Sequence, residues 1–268
     1  LKRPSQQYNH NTPNFTMSNL KRRATEDASP DKTKKKKKST KHSAEDELLD
    51  MELGLNTLLS RMDNQLLADY LAQKTSRFAP DLSNIELSDI TISANCIKDA
   101  TSFEETRTLD NLPAFLEKFT EEPESLKRAA KKKGCPHTLI VTGAGLRAAD
   151  VVSWYVDGTI ILTLLRVATN VLQFAKHMKV DEQVAFLKKT RTGLAVGTPA
   201  RLTELINREA LDTINIKRVI VDASHIDQKK RGITDMKDTL IPLVKFLTTS
   251  QLKDRYTDEK KTIDLLFY

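Results

Sequence analysis

Residues 191–225 constrain the fold most, because they hold two short apolar runs separated by one helical stretch. The runs lie at residues 194–196 and 219–221, and each gives way abruptly to polar residues. Short apolar runs that end in this way are typical of buried strands in a parallel sheet. We therefore predict an α/β domain with a parallel sheet flanked by helices.

The residues after the first run suit the binding of an anion. Thr198 is a good N-cap, Pro199 fits the first helical position, and Arg201 follows on the first turn. Such a helix directs unpaired backbone N–H groups and a guanidinium toward one spot, which suits a phosphate. The alternative is structural, since Thr-Pro-x-Arg also starts a helix well in any Rossmann-like domain.

The second run ends in Asp222, at the tip of a predicted buried strand. A carboxylate in this position often meets a metal or water in α/β domains. The interpretation we favour is structural: Asp222 hydrogen-bonds the loop that follows. His225 is then a loop residue and not a base, because no pattern in the sequence places a nucleophile beside it.

Together these segments resemble the first RecA-like domain of DEAD-box RNA helicases. The RNA-backbone motif V-G-T-P-G-R-L of that family stands here as V-G-T-P-A-R-L, with Ala200 in place of glycine. The D-E-A-D motif stands as Asp222, Ala223, Ser224 and His225, without its glutamate. The resemblance implies a single RecA-like sheet, RNA contacts from Thr198 and Arg201, and a vestigial D-E-A-D motif.

A third segment, at residues 137–150, predicts a strand, a glycine turn and a helix. Gly143 and Gly145 allow a tight turn before the helix, and Arg147 is close by. A nucleotide-binding P-loop requires Gly-Lys-Ser/Thr, whereas Leu146 and Arg147 follow Gly145 here. The helicase comparison places this segment at a backbone-contacting loop, so Gly143, Gly145 and Arg147 join Thr198 and Arg201 as predicted RNA-binding residues.

We expect no enzymatic activity and no cofactor. ATP hydrolysis by a helicase of this kind needs a phosphate-binding lysine, a metal-binding aspartate, a water-orienting glutamate and an arginine from a second domain. Only Asp222 has a counterpart here, and the sequence contains no second RecA-like domain. A residual nucleotide enzyme that depends on Asp222 is the alternative.

The excess of positive charge belongs to the N-terminal tail. Twelve of the 43 Lys and Arg residues but only three of the 36 Asp and Glu residues precede residue 45. Residues 1–43 are therefore predicted to form a disordered basic tail. Its lysine run predicts a nuclear localisation signal and an anchor for RNA phosphates, with a solvated tail as the alternative. The run consists of Lys34, Lys35, Lys36, Lys37 and Lys38.

Two cysteines and five histidines show no metal-ligand spacing, so we predict neither a metal site nor a disulfide framework. The longest apolar stretch is too short to cross a bilayer. We expect neither a membrane nor a small-molecule substrate as partner.

Residues 44–72 carry apolar residues at three- and four-residue steps, including Leu55 and Leu59. This spacing predicts an amphipathic helix, which is followed by a linker to residue 80. Docking on a partner is favoured over packing on the protein's own domain. Charging Leu55 and Leu59 would then abolish partner binding.

Residues 81–268 are predicted to form the RecA-like domain. Ile90 and Ile92 alternate like an edge strand, and helices are predicted within 112–130, 174–189 and 236–247. Residues 153–171 predict a strand or a buried helix. The apolar residues before Tyr268 predict a last strand.

The combination of a lysine-rich tail, one helicase-like half, V-G-T-P-A-R-L, V-I-V-D-A-S-H and a terminal L-L-F-Y resembles the Cms family of small fungal and animal nucleolar proteins. Membership would imply a non-catalytic component of the small-subunit pre-ribosome in the nucleus and nucleolus. Its partners would be pre-ribosomal RNA and small-subunit pre-ribosome proteins. The alternative is a protein-interaction scaffold in nuclear complexes, including a role linked to DNA replication initiation.

Overall fold

The computed structural model of the protein describes residues 48–157 and 179–268. The strands in this part are β1 (Leu49–Asp50), β2 (Leu55–Asn56), β3 (Thr138–Val141), β4 (Leu194–Gly197), β5 (Arg218–Val221) and β6 (Asp264–Phe267). The α-helices are α1 (Asn64–Phe78), α2 (Asn84–Asp89), α3 (Leu112–Lys118), α4 (Gly145–Asp157), α5 (Val180–Lys189), α6 (Pro199–Asn207), α7 (Lys237–Leu247) and α8 (Ser250–Lys253). Short 3₁₀ turns lie at Leu59–Arg61, Ala94–Cys96, Leu109–Asn111 and Pro123–Lys127.

The four longer strands form one parallel sheet in the order β4-β3-β5-β6. Val141 lies beside Gly197 on one side and Val221 on the other, and Val221 lies beside Phe267. All four strands therefore end at the same edge, which we name the carboxyl edge. The opposite edge, where the strands begin, is named the amino edge.

Helices cover both faces of this sheet. Leu139 and Val221 point to one face, where they join a core cluster that includes residues of α1, α6 and α7. Ile140 and Ile220 point to the other face and join a cluster that includes Phe115 of α3. Because alternate strand residues point to opposite faces, strands covered on both sides become continuously apolar. The prediction of a parallel sheet flanked by helices is confirmed.

Most of the predicted elements are present, some with shorter bounds. The runs at 194–196 and 219–221 lie in β4 and β5, the helix at 236–247 is α7, and the terminal run forms β6. Within 112–130, α3 ends at Lys118 and a 3₁₀ turn begins at Pro123. Residues 153–157 belong to α4 and residues 180–189 form α5, whereas 158–178 lie outside the described residues.

The edge strand predicted at Ile90 and Ile92 is wrong. Ser83 and Glu86 form a capping box that starts α2, and Ile90 ends that helix as its C-cap. The chain reaches the sheet only at Ile97, which makes one parallel bridge to Leu265. The capping pattern therefore outweighed the two-residue alternation.

The single helix predicted for residues 44–72 is wrong in its described part. β1 and β2 form a hairpin, in which Asp50 accepts hydrogen bonds from two turn amides and Gly54 takes a φ of 65°. The α-helix begins only at Asn64, where the carboxylate of Asp63 caps the Leu66 amide at 2.8 Å. The regularly spaced apolar residues before Asn64 lie in a hairpin and a 3₁₀ turn instead of a helix, because Asp50 and Gly54 both favour turns.

This N-terminal segment packs on the protein's own domain. Leu55 and Leu59 are 3% and 1% exposed, and Leu67 and Leu71 of α1 join the core beside the sheet. Charged residues at Leu55 and Leu59 would therefore unfold the domain instead of testing partner binding. Exposed apolar side chains on this segment are Met51, Leu53 and Leu66.

The basic tail predicted for residues 1–43, with its lysine run, lies outside the described residues. Among the residues that the structure describes, none of the helices has the length and apolar character to span a bilayer.

The burial of Leu59 predicts a stability difference between two leucines of the same segment. Leu59→Ala should lower the free energy of unfolding by about 2 to 5 kcal/mol, because it removes a fully buried side chain and leaves a cavity. Leu66→Ala, at a position 55% exposed, should change it by less than about 0.5 kcal/mol. Urea unfolding followed by circular dichroism measures both, and equal effects would show that the segment does not pack as described.

Candidate functional site

The sequence-predicted site residues of the folded domain follow β3, β4 and β5 at the carboxyl edge, and only those after β3 and β5 lie at the centre of the sheet. From β3 the chain passes to β4 on one side, and then crosses to β5 and β6 on the other. The gap between β3 and β5 is therefore a topological switch point, where open α/β sheets usually bind ligands. The loop that contains Gly143 and the segment that begins at Asp222 flank this gap.

An ion pair between Arg147 and Asp222 occupies this switch point. Arg147 lies on the first turn of α4, and Asp222 directly follows β5. The guanidinium Nε donates to Oδ2 at 2.8 Å and Nη2 donates to Oδ1 at 3.1 Å. The two side chains are 10% and 5% exposed. Two parallel hydrogen bonds of this kind are the strongest geometry for an arginine and a carboxylate.

This pair changes what both residues can do. The guanidinium of Arg147, which was predicted to contact RNA, points into the protein and pairs with the carboxylate of Asp222. Asp222 lies where a metal ligand was considered, but both of its carboxylate oxygens accept hydrogen bonds from Arg147. The expected hydrogen bonding of Asp222 to its own loop is replaced by a bond across the switch point. A phosphate or a metal ion would have to break this buried pair to reach either residue.

The three residues after Asp222 are held by their backbone. The amides of Ala223 and Ser224 donate to the carbonyl of Tyr268 at 2.8 and 2.7 Å. The carbonyl of Ser224 accepts from Asn56 at 2.7 Å, and His225 bridges to Leu55 of the hairpin. Ala223 and Ser224 are 1% and 2% exposed. Residues 222–225, which were compared with the D-E-A-D motif, therefore connect β5 to the hairpin and to Tyr268, the residue that follows β6.

His225 lies beside this ion pair, which affects its pKa. Burial lowers the pKa of His225, and the positive charge of Arg147 lowers it further, against smaller opposite effects of Asp222 and two other carboxylates. Both lowering effects favour the neutral imidazole.

Gly145, Thr198 and Arg201 line a second feature, a cavity of about 100 Å³ beside β4. The rest of its wall is mostly apolar and includes Leu187 and Leu202. The volume is well below the several hundred Å³ of ordinary small-molecule sites. Thr198 is the N-cap residue of α6 as predicted, yet its side chain makes no capping hydrogen bond.

Arg201 is directed by a buried glutamine that the sequence analysis missed. Its Nη1 donates at 2.9 Å to Oε1 of Gln183, a residue of α5 that is fully buried. A signal for Gln183 exists in the sequence, since it lies at helical spacing from Val180 and Leu187, on the apolar face of α5. A polar residue on such a face usually has a specific partner.

Gly143 has a packing role at this edge. A Cβ atom there would lie 3.3 Å from the Cα and Cβ of Ile233. Only residues 142–144 separate β3 from α4, whereas a P-loop needs room for G-x-x-x-x-G-K. The segment therefore makes a short strand-to-helix turn.

Arg107 is a buried arginine that no sequence pattern indicated. Its guanidinium donates to the carbonyls of Phe267 at 2.8 Å and Ala100 at 3.2 Å. Burial lowers its pKa to about 10. The side chain fastens the 3₁₀-rich segment before α3 to the end of β6.

Within the described ranges, no three His, Cys, Asp or Glu side chains lie close enough together to hold a metal ion.

Comparisons with known proteins identify relatives of this chain. A family model for "CMS1: U3-containing 90S pre-ribosomal complex subunit" matches residues 15–268. Protein CMS1 of Chaetomium thermophilum is 56% identical over 256 residues, which cover 94% of this chain and 98% of the relative. Protein cms1 of Schizosaccharomyces pombe is 28% identical over 197 residues, which cover 74% and 68%. Human Protein CMSS1 is 27% identical over 155 residues, which cover 58% and 51%.

The ion pair at the switch point predicts a large loss of stability when one partner is removed. Arg147→Met should lower the free energy of unfolding by about 3 to 5 kcal/mol, because Asp222 would remain as a buried, uncompensated charge. Combining it with Asp222→Leu should restore part of that loss. Urea unfolding of the single and double variants measures the coupling between the two positions.

Arg208→Met is the matched control. Arg208 pairs with Asp181, but the two side chains are 44% and 86% exposed, so its loss should cost less than about 1 kcal/mol. Equal losses for the Arg147 and Arg208 variants would contradict the assignment of Arg147 to a buried pair.

Proposed function

The chain belongs to the CMS1 family of U3-containing 90S pre-ribosomal complex subunits, and on that basis we propose that it is a non-catalytic assembly factor of the small-subunit pre-ribosome. Its place of action is the nucleus, and the nucleolus in particular. Its partners are pre-ribosomal RNA and proteins of the same particle. The family supports the role in ribosome assembly; the absence of catalysis and the contact with RNA are our proposals from the residues.

The Arg147–Asp222 pair is the main support for the proposed absence of catalysis. An ATPase of the DEAD-box kind needs the strand-end aspartate to face a metal ion. Here both oxygens of Asp222 accept from a buried guanidinium at 2.8 and 3.1 Å. Releasing the carboxylate would break two charge-assisted hydrogen bonds and leave Arg147 buried without a partner. The site is built as a structural contact.

The finer assignment is to a degenerate RecA-like domain. It is supported by the parallel sheet, by V-G-T-P-A-R-L at the exit of β4 into α6, and by Asp222 at the exit of the neighbouring β5. In this proposal the scaffold of a motor domain has been retained and its nucleotide chemistry has been lost.

RNA binding at the carboxyl edge is proposed for one phosphate near the N-terminus of α6. Gly145, Thr198 and Arg201 line the same cavity there. Their arrangement suits a backbone contact that carries no sequence information. Gly143 and Arg147 take structural roles, since Gly143 packs on Ile233 and Arg147 pairs with Asp222. The tail lysines Lys34 to Lys38 are proposed to add electrostatic affinity and nuclear import.

A protein-interaction role is the second candidate, and the hairpin favours it. Met51 and Leu53, in the turn between β1 and β2, are 47% and 53% exposed. Two exposed apolar side chains in one turn, separated by a single residue, are suited to a small hydrophobic contact. This location replaces the helix that the sequence analysis expected to dock on a partner.

The absence of catalysis is tested on the purified full chain. We expect no ATP hydrolysis above a protein-free blank and no rise in melting temperature with Mg-ATP, because Asp222 is committed to Arg147. Turnover at a helicase-like rate, or marked stabilisation by Mg-ATP, would disprove the proposal. Both measurements use the unaltered protein, so a variant that fails to fold cannot confuse the result.

The assembly role is tested separately, by sucrose-gradient sedimentation of the tagged chain from cells. The chain should co-sediment with particles that contain U3 RNA and shift to light fractions after ribonuclease treatment. Sedimentation with free proteins alone, in untreated extract, would count against a place in the pre-ribosome.

The phosphate contact at α6 predicts an effect of Arg201→Ala on RNA affinity. The slope of log affinity against log salt should fall by about 0.9, the value of one phosphate contact. Arg208→Ala, at the end of the same helix, removes the same charge and is the control. Fluorescence anisotropy with a labelled RNA hairpin measures both, and identical slopes would remove Arg201 from the interface.

A further inference from the structure

The amino edge of the sheet carries a broad, positively charged groove. It consists of two adjoining depressions of about 550 and about 500 Å³, which share Ser125, Asn215 and Lys217 among their walls. We name it the amino-edge groove. It lies at the opposite end of the strands from Asp222, because Arg218 and Asp264 are the first residues of β5 and β6.

Basic residues outnumber acidic residues in the walls of this groove by eight to four. They come from segments far apart in the chain, which include Arg128, Lys217 and Lys260. These segments meet because each of them precedes one of the parallel strands. The described folded part is nearly neutral in composition, since the chain's excess of lysine belongs to residues before 45. The excess in the groove is therefore a concentration of charge by the fold.

Two arginines of the groove are held in place by neutral acceptors and make no ion pair with a carboxylate among the described residues. Arg255 donates to the carbonyls of Thr213 at 2.6 Å and Ile216 at 2.7 Å. Arg218 is 5% exposed, donates from Nη1 to Thr138, and has no partner for Nε within the described ranges. Rigid guanidiniums lose little conformational entropy when they bind an anion.

Asp264 and Glu121 act on Arg218 electrostatically, but neither makes an ion pair with it among the described residues. The carboxylate of Asp264 accepts from Lys98 at 2.9 Å and makes no ion pair with Arg218. Lys217 is exposed and also lacks an ion pair in the part of the chain that the structure describes. His137, in the wall of the same groove, has its pKa lowered to about 4 by burial and by the positive charge of Arg218. His137 therefore adds no charge at neutral pH, and the excess of positive charge in the groove comes from its lysines and arginines.

We propose that the amino-edge groove binds the phosphate backbone of helical RNA. This site deepens the proposed function, on which it rests, by giving the subunit an RNA-binding surface that the helicase resemblance did not indicate. Among the described residues in its walls there is no Phe, Tyr or Trp, and the imidazole of His137 is buried. Proteins that hold single-stranded RNA usually stack its bases on aromatic side chains. A lining of lysine and arginine without exposed aromatic rings suits the phosphates and 2′-hydroxyls of an RNA helix.

The test uses the full chain, with its basic tail intact, and a labelled RNA hairpin. Lys217→Glu with Lys260→Glu reverses two charges on the groove. Arg77→Glu with Lys229→Glu reverses two exposed charges outside it and is the matched control. Circular dichroism spectra and urea unfolding establish that both double variants are folded. Anisotropy titrations over a range of salt concentrations then give affinity and its salt dependence.

The groove variant should bind the hairpin at least about ten-fold more weakly, with a salt slope lower by about two, because two phosphate contacts are lost. The control variant should bind nearly as well as the unaltered chain. Ultraviolet crosslinking followed by mass spectrometry should place crosslinks on peptides that contain Lys217 or Lys260.

Equal RNA affinity of the groove and control variants, with tight binding by the unaltered chain, would overturn the groove while leaving the proposed function in place. Failure of the unaltered chain to sediment with U3-containing particles would instead count against the proposed function. Poly-glutamate is the probe for an acidic protein partner. If the groove variant lost binding to poly-glutamate but kept its affinity for RNA, the groove would be a protein-binding surface and the proposal would be wrong.

Discussion

The ion pair between Arg147 and Asp222 joins the two segments that leave the centre of the sheet. It connects the first turn of α4 to the end of β5, and both partners are buried. A buried pair of this kind is costly to break, because each charge would remain without solvent or partner. The carboxyl edge is therefore closed at the position where α/β domains usually admit a ligand. The proposed absence of ATP chemistry rests on this contact.

The segment that follows Asp222 extends the same structural theme. Ala223 and Ser224 donate to the carbonyl of Tyr268, and Ser224 accepts from Asn56 of the hairpin. Backbone bonds of this kind fix the position of the segment whatever its side chains are. Ala223 and Ser224 can therefore be small and buried. The hairpin, β5 and the end of the chain form one continuous hydrogen-bonded unit.

The two edges of the sheet differ in their physical character. The carboxyl edge has a small apolar cavity, with Arg201 bonded to the buried Gln183. The amino edge has a wide groove with twice as many basic as acidic residues. The function proposed above needs no ATP, so an RNA-binding surface would have no requirement to lie next to a nucleotide site. In that proposal either edge of the sheet can bind RNA, according to its charge.

Sequence periodicity by itself determined the strand positions at 194–196 and 219–221, the helices that flank them and the α/β class, because burial on both faces of a parallel sheet requires continuous apolar runs. It also identified Arg147 and Asp222 individually. Their pairing spans 75 positions and depends on how β3 and β5 lie side by side, which only the tertiary structure decided. The hairpin before α1 was mistaken for helix because leucines at three- and four-residue steps serve either structure. The amino-edge groove was likewise invisible in the sequence, since its charges are scattered along the chain and meet only because parallel strands begin at a common edge.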